Sequence, residues 1–158
     1  MSMTYSLRGE QSARLFDQGY NCAQSVVVAW ADVIGLPVET AARLSSGLGG
    51  GVSRLREVCG AVSGMAMVLG MVKGYSDPAD YDGKVALYTL VQKLAEQFRQ
   101  ETGAVRCHAL LGLPDGPSAP APEQRTHDYY ASRPCARFVA VASTLLEREL
   151  KEQGLLTE

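Results

Sequence analysis

Apolar residues recur every three or four positions along most of this chain, and glycine or proline separates the stretches in which they do so. That spacing is typical of helices with one buried face, and no stretch shows the strict alternation of a strand. Helix signals bound the pattern, as where Asn21 precedes Gln24 by three residues and Gly35 stands shortly before Pro37. The predicted helices cover residues 7–18, 21–35, 38–48, 59–73, 76–101, a short segment around 107–111, and 132–153.

Segment 59–73 is apolar on all sides, as expected of a helix surrounded by other helices. The chain has 158 residues, of which 46% are hydrophobic, and this is enough for one core. The sequence therefore predicts an all-α fold, a compact single-domain bundle of six or seven helices around the buried central helix at about 59–73. The predicted domain spans 1–158 and includes a proline-rich loop at about 113–128.

The distribution of charge excludes several classes of partner. The formal net charge is −2, and the 15 lysine and arginine residues form no basic block, so neither nucleic acid nor an anionic membrane is an expected partner. Met1–Thr4 shows no secretory signal, and the apolar run 58–72 is shorter than the roughly 18 residues of a membrane span. We expect a cytoplasmic protein, and its amphipathic last helix is compatible with a homodimer.

Four cysteines are the candidate chemical groups. A reducing cytosol disfavours permanent disulfides, so these thiols are expected to be free, metal-bound or redox-active. Cys22 follows a predicted N-cap, Cys59 stands near the start of the central helix, and Cys135 follows a proline at a helix start. The positive end of a helix dipole favours thiolate over thiol, so these three positions indicate reactive cysteines.

Cys107 is predicted to lie inside or near the start of a short helix, with Arg106 beside it as a candidate thiolate partner. Cys22 and Cys135 fall on apolar helix faces, so their thiols are expected to point inward toward Cys59. A simpler interpretation of each cysteine alone is that it packs as a small apolar residue.

Two glycine groups accompany Cys59. Gly60 and Gly64 share one helix face and would allow close approach by a flat cofactor or, as the simpler interpretation, by a neighbouring helix. The glycine-rich segment 47–51 is followed by no Gly-Lys-Ser/Thr, so it does not predict a nucleotide phosphate loop. It is expected to form a tight turn toward Cys59, with anion binding helped by Arg54 and Arg56 as a lesser alternative.

The ordered cysteines resemble those of the C_GCAxxG_C_C family, whose members are considered redox-active because of their cysteines. The core of the resemblance is Cys59-Gly60-Ala61-Val62-Ser63-Gly64, with Cys22 as the leading cysteine and Cys107 and Cys135 as the trailing pair. The resemblance implies that these four cysteines form the functional site. It leaves the substrate and the redox partner open.

The leading hypothesis is a thiol–disulfide redox protein that needs no cofactor and reacts with a redox partner or a small molecule; a thiol–disulfide oxidoreductase is the enzyme class compatible with it. In it Cys59 is the attacking thiolate, and Cys22 or Cys135 resolves the mixed disulfide. The alternative is a metal-binding module in which Cys22, Cys59, Cys107 and Cys135 hold zinc or an iron–sulfur cluster. A third interpretation is a helical interaction protein whose cysteines only pack. No Cys-x-x-Cys is present, so the fold would have to assemble any shared site.

Overall fold

The computed structural model describes residues 3–157, and the regular elements in that range are helices. In chain order they are α1 (Leu7–Asp17), α2 (Cys22–Ala29), α3 (Ala31–Ile34), α4 (Val38–Ser45) with a 3₁₀ turn (Ser46–Leu48), α5 (Gly49–Val52), α6 (Gly60–Lys73), α7 (Tyr81–Thr102), α8 (Cys107–Leu111), α9 (His127–Ser132) and α10 (Cys135–Glu152). The all-α prediction is confirmed. Residues 1, 2 and 158 of the predicted domain lie outside the described residues.

The described residues form more helical segments than the six or seven predicted. The predicted second helix is divided into α2 and α3 at Trp30, whose φ of −109° and ψ of 7° depart from helical values. Two short segments, α5 and α9, form where the sequence predicts turns or loops. The proline-rich loop is accordingly shorter than the predicted 113–128, because α9 begins at His127.

Side-chain caps fix the starts of helices that bear on the site. The predicted capping box is present in α2: Asn21 Oδ1 accepts from the Gln24 N–H at 2.9 Å, and the Asn21 N–H donates to Gln24 Oε1 at 3.1 Å. Helix α7 begins later than predicted because Asp80 is its N-cap, accepting from the Gly83 N–H at 2.9 Å. The capping box matters most for function, because Cys22 is the residue that directly follows Asn21.

The core lies where α6 packs against α2, α7 and α10, and α1 packs along α10. Its largest fully buried side chains include Phe16, Trp30, Met65, Leu69, Leu94, Phe98 and Leu146. The first half of α6 is buried, as predicted for the central helix, but its last turns reach the surface, where Met71 is 54% exposed. Within residues 3–157, no helix combines the length and the apolarity needed to cross a bilayer.

Candidate functional site

The structure brings all four cysteines to one place. Each stands at the start of a helix: Cys22, Cys107 and Cys135 are the first residues of α2, α8 and α10, and Cys59 is the N-cap of α6. Together they line a space of about 10 Å³. In the described chain all four are free thiols. Four helix N-termini therefore meet at one cluster of sulfur atoms, where the positive ends of their dipoles favour negative charge.

Cys107 is the first residue of α8, which agrees with the predicted position near the start of a short helix. The predicted neighbour of its thiol is wrong. Its cationic neighbour is Arg56, whose Nη1 donates to Cys107 Sγ at 3.5 Å, and not Arg106. Arg106 instead donates to Glu57 at 2.7 Å on the surface. Successive side chains of an extended segment point in opposite directions, so Arg106 faces outward where Cys107 faces inward.

A short antiparallel bridge holds two of the cysteines in register. Val58 pairs with Arg106, and on either side of this pair the Cys59 N–H donates to Val105 O at 2.8 Å and the Cys107 N–H donates to Glu57 O at 2.6 Å. The bridge therefore ties the start of α6 to the start of α8. No local pattern in the sequence marks this pairing, since the two segments are far apart in the chain.

The glycine-rich segment forms a left-handed turn beside the thiols. Five consecutive residues, Gly50 to Arg54, have φ between 49° and 70°, and Arg56 follows with a φ of 64°. Glycine adopts such angles freely, but Val52, Ser53, Arg54 and Arg56 are strained in them. Backbone hydrogen bonds hold the turn, among them Arg56 N–H to Gly50 O at 3.1 Å and Glu57 N–H to Gly51 O at 3.0 Å. The turn carries Arg54 and Arg56 to the cysteine cluster.

Val52→Gly is expected to stabilise the protein by about 0.5–1 kcal/mol. Glycine removes the backbone strain of valine at a positive φ, and this gain is larger than the extra conformational entropy that glycine loses on folding. Val52 is 37% exposed, so little packing is lost. The matched control is Val85→Gly, at a 45% exposed position inside α7, which should destabilise by about 0.3–0.5 kcal/mol because glycine has a lower helix propensity than valine. Urea unfolding of both variants measures the two changes. Losses of stability in both variants would contradict the strain at Val52.

A surface cavity of about 330 Å³ gives access to three of the four thiols. Cys22, Cys107 and Cys135 line it, whereas Cys59 lines only the small space behind it. Cys22 is half-buried, and Cys107 and Cys135 are each 7% exposed. The arginines that line the cavity are Arg54, Arg56, Arg125 and Arg133.

Cys22 and Cys135 interact directly, and their pKa values move in opposite directions. The hydrogen bond from Cys22 lowers the pKa of the Cys135 thiol, and the positive charges of three arginines lower it further against the effect of burial. The pKa of Cys22 is raised well above its ordinary value by the same hydrogen bond, by burial and by the nearby sulfur atoms. The arginines concerned are Arg133, Arg125 and Arg56. These shifts favour a state in which Cys135 is a thiolate and accepts a hydrogen bond from the Cys22 thiol.

Cys59 lies in a different environment. It is 4% exposed, and burial raises its pKa to about 12, although the N–H groups of Ala61 and Val62 act in the opposite direction. The helix start thus lowers the pKa of Cys59, as predicted, but desolvation raises it by more. The geometry does not favour Cys59 as the attacking thiolate.

The two glycines predicted to bind a cofactor face helix α2. A Cβ added at Gly60 would lie 3.0 Å from both Ala23 N and Leu48 O, and one added at Gly64 would lie 3.0 Å from Ala23 O and Val26 Cβ. Both glycines therefore let α6 and α2 approach closely. Gly60 also lines the small space between the thiols, so a ligand contact at Gly60 stays a prediction.

Two arginines at the site were not identified from the sequence. Arg125 donates to Phe16 O and Tyr20 O, each at 3.1 Å, and its guanidinium lies 4.3 Å from the centre of the Phe16 ring. Arg133 pairs with Glu123. These contacts depend on where the loop before α9 returns to α1, which helical periodicity does not reveal. The adjacent aromatic pair at 129–130, beside two arginines, was the available signal.

The same thiols are candidate metal ligands. Among the described residues, no group of three or more His, Cys, Asp and Glu side chains is arranged to hold a metal ion. The four thiols nevertheless adjoin one small space, so modest side-chain movement would be needed before all four could bind one ion or cluster.

One family model matches residues 20–149 of the chain, a span that includes all four cysteines. The family is described as "Putative redox-active protein (C_GCAxxG_C_C)". The family name gives the core as Gly-Cys-Ala, whereas this chain has Cys59-Gly60-Ala61. No curated protein and no solved structure matches the chain.

Proposed function

The chain belongs to the C_GCAxxG_C_C family, and from this premise we propose that it carries out thiol–disulfide exchange with Cys135 as the attacking thiolate and Cys22 as the resolving thiol. The observation that carries the proposal is the Cys22–Cys135 pair, whose two pKa values are pushed apart at the wall of an open cavity. Two titratable groups separated in this way are suited to different roles in one reaction.

The roles follow from the charges. The Cys135 thiolate attacks a substrate disulfide, forms a mixed disulfide and releases the first thiolate of the substrate. Cys135 then no longer carries a negative charge, so one cause of the raised pKa of Cys22 disappears and Cys22 ionises more readily. Cys22 attacks Cys135 Sγ, releases the second substrate thiolate and closes a Cys22–Cys135 disulfide. The two protein thiols lose two electrons, and the substrate disulfide gains them.

These roles differ from the sequence-based assignment, in which Cys59 attacks. Cys59 neither lines the open cavity nor has a lowered pKa, whereas Cys135 has both properties. Cys22 keeps the resolving role predicted for it. Cys59 and Cys107 complete the sulfur cluster, and Cys107 Sγ accepts a hydrogen bond from Arg56 Nη1.

The metal-binding alternative is supported by a single observation, that all four thiols line one space at four helix N-termini. Thiolates in such a setting suit zinc or an iron–sulfur cluster, and Cys22, Cys59, Cys107 and Cys135 would be the ligands. Both functions use the same four sulfur atoms, so measurements of metal and of free thiols on one protein preparation can distinguish the two functions.

The deciding experiment uses anaerobically purified protein, in which metal, visible absorption and free thiols are measured before and after stoichiometric oxidation by a small disulfide. We expect four free thiols before oxidation and two after it, with the new bond mapped by peptide mass spectrometry to Cys22 and Cys135. Two different cysteines in the bond would refute the assigned roles. Stoichiometric metal or a cluster absorption band that protects all four thiols would establish the alternative.

A further inference from the structure

Arg56 is a buried cation without a carboxylate partner in the described chain. It is 4% exposed, its Nε donates to Ser118 Oγ at 2.9 Å, and its Nη1 donates to Cys107 Sγ at 3.5 Å. A buried charge costs several kcal/mol relative to water unless it is paired, and the Cys135 thiolate is one negative charge shared among Arg133, Arg125 and Arg56. The position of Arg56 at the cavity wall therefore favours an anion that arrives from outside.

Two neighbouring arginines, which are half-buried, also have no carboxylate partner among the described residues. Arg54 Nε donates to Ala119 O at 2.6 Å, and Arg125 donates to the carbonyl oxygens of Phe16 and Tyr20, which are neutral acceptors. Arg133 does have an acidic partner, Glu123. Among the described residues that line the cavity, four guanidinium groups thus face one carboxylate, so the cavity carries a net positive charge although the whole chain carries −2.

We propose that this cavity selects small disulfides that bear carboxylates near the sulfur–sulfur bond. The inference rests on the redox function proposed above and names its substrate class. A cavity of about 330 Å³ is at the small end of the range for ligand sites, so it suits a metabolite-sized molecule and not a folded protein domain. Arginine binds carboxylates through two parallel hydrogen bonds, which orients the substrate as well as attracting it.

The reaction balances with this substrate. The Cys135 thiolate forms a bond to one substrate sulfur, and the electron pair of the broken sulfur–sulfur bond leaves with the other half as a carboxylate-bearing thiolate. Cys22 then displaces the second half in the same way, and its proton passes to solvent or to the released thiolate. Each turnover converts one substrate disulfide into two thiols and the protein dithiol into a disulfide.

The experiment compares three symmetrical disulfides of similar length: dithiodipropionate with two carboxylates, bis(2-hydroxyethyl) disulfide without charge, and cystamine with two ammonium groups. Stopped-flow rates with the fully reduced protein are divided by the rates with dithiothreitol, an uncharged dithiol, at the same pH, which removes intrinsic differences in disulfide reactivity. We expect the normalised rate for dithiodipropionate to exceed that for the neutral disulfide by about tenfold or more, and cystamine to be slowest. The preference should shrink between about 20 mM and 500 mM salt.

Arg54→Gln tests the binding residues without removing a charge that acts strongly on Cys135, since the arginines with the largest effect there are Arg133, Arg125 and Arg56. It should lower the carboxylate preference several-fold, with folding checked by circular dichroism. The control is Arg148→Gln, which removes an exposed arginine far along α10 and should leave the preference unchanged.

Each outcome has a distinct meaning. Equal normalised rates for the three disulfides, or a faster cystamine reaction, would overturn the substrate class and leave the thiol–disulfide function standing. Failure of the protein to react with any of the three would refute the proposed function itself. If Arg54→Gln does not fold, the salt series on the unaltered protein still decides the inference, because a preference that salt does not weaken would rule out the arginines as its cause.

Discussion

Cys135→Ser is expected to remove the fast reaction with small disulfides and to lower the rate by about 100-fold or more, because it removes the cavity thiol whose surroundings favour the thiolate. The reactive species is the thiolate, and Cys135 is the cysteine whose pKa the surroundings lower. Cys135 is the first residue of α10, a position at which serine is compatible with a helix. The measurement is the rate of thiolate release from a disulfide in excess, with four thiols per chain as the starting point.

Cys22→Ser should give a different result. The first attack by Cys135 still occurs, but no resolving thiol follows, so a mixed disulfide accumulates and intact mass spectrometry detects it at one equivalent. Cys59→Ser serves as the control, since serine is a preferred N-cap and Cys59 is the N-cap of α6. It should retain both steps. If Cys59→Ser lost the fast reaction and Cys135→Ser kept it, the sequence-based assignment would be correct and ours wrong.

The pH dependence of alkylation is an independent test of Cys135 as the attacking thiolate. Because the pKa of Cys135 is lowered, its alkylation should reach half its maximal rate at a lower pH than an ordinary cysteine does. Cys22→Ala removes the hydrogen-bond donor and should move that midpoint upward. A variant that only disturbed the packing would change the maximal rate without moving the midpoint.

Local sequence signals located most of the helices and the helix starts at which the cysteines lie. The capping box at Asn21, the glycine stop after Ile34 and the apolar run of α6 are all determined within a few residues of chain, so periodicity and caps were sufficient to predict them. The same reasoning correctly placed Cys22 and Cys135 at the starts of helices.

The assembly of the site could not be predicted in this way. The choice between Arg56 and Arg106 as the neighbour of Cys107 depends on the Val58–Arg106 bridge, and that bridge joins segments far apart in sequence. The apolar run 59–73 predicts a buried helix, but it does not reveal that burial changes the pKa of Cys59 more than the helix start does. Helix starts indicate where a thiolate is favoured, but only the three-dimensional surroundings decide whether desolvation is the larger effect.

The left-handed turn connects backbone strain with the position of the thiols. Strained residues persist only where the surrounding structure holds them, and here the holding contacts run from Gly50 O and Gly51 O to the N–H groups of Arg56 and Glu57. This arrangement turns the buried Arg56 toward Cys107. The strained backbone of the turn is therefore the part of the chain that positions Arg56 beside the sulfur cluster.

Gly51→Ala is the substitution expected to destabilise the fold most among single methyl additions in this turn. The new Cβ would lie 2.6 Å from Glu57 N and 2.8 Å from Cys107 Cβ, at a residue whose φ is 69°. The left-handed angle costs about 1–2 kcal/mol for alanine, and relief of the two close contacts adds about 1–3 kcal/mol. We therefore expect a loss of about 2–5 kcal/mol in the free energy of unfolding.

Gly112→Ala is the matched control for that loss. Gly112 has a nearly identical φ of 66°, but an added Cβ would meet no atom within 4 Å. This variant should lose only the conformational cost of about 1–2 kcal/mol. Urea unfolding measures both free energies, and the alkylation rate of Cys107 provides a second readout, because the new methyl group must displace Cys107 or the Arg56–Glu57 backbone. Equal losses in the two variants, with unchanged Cys107 reactivity, would show that the turn does not hold the sulfur cluster, since backbone conformation alone would then account for the whole effect.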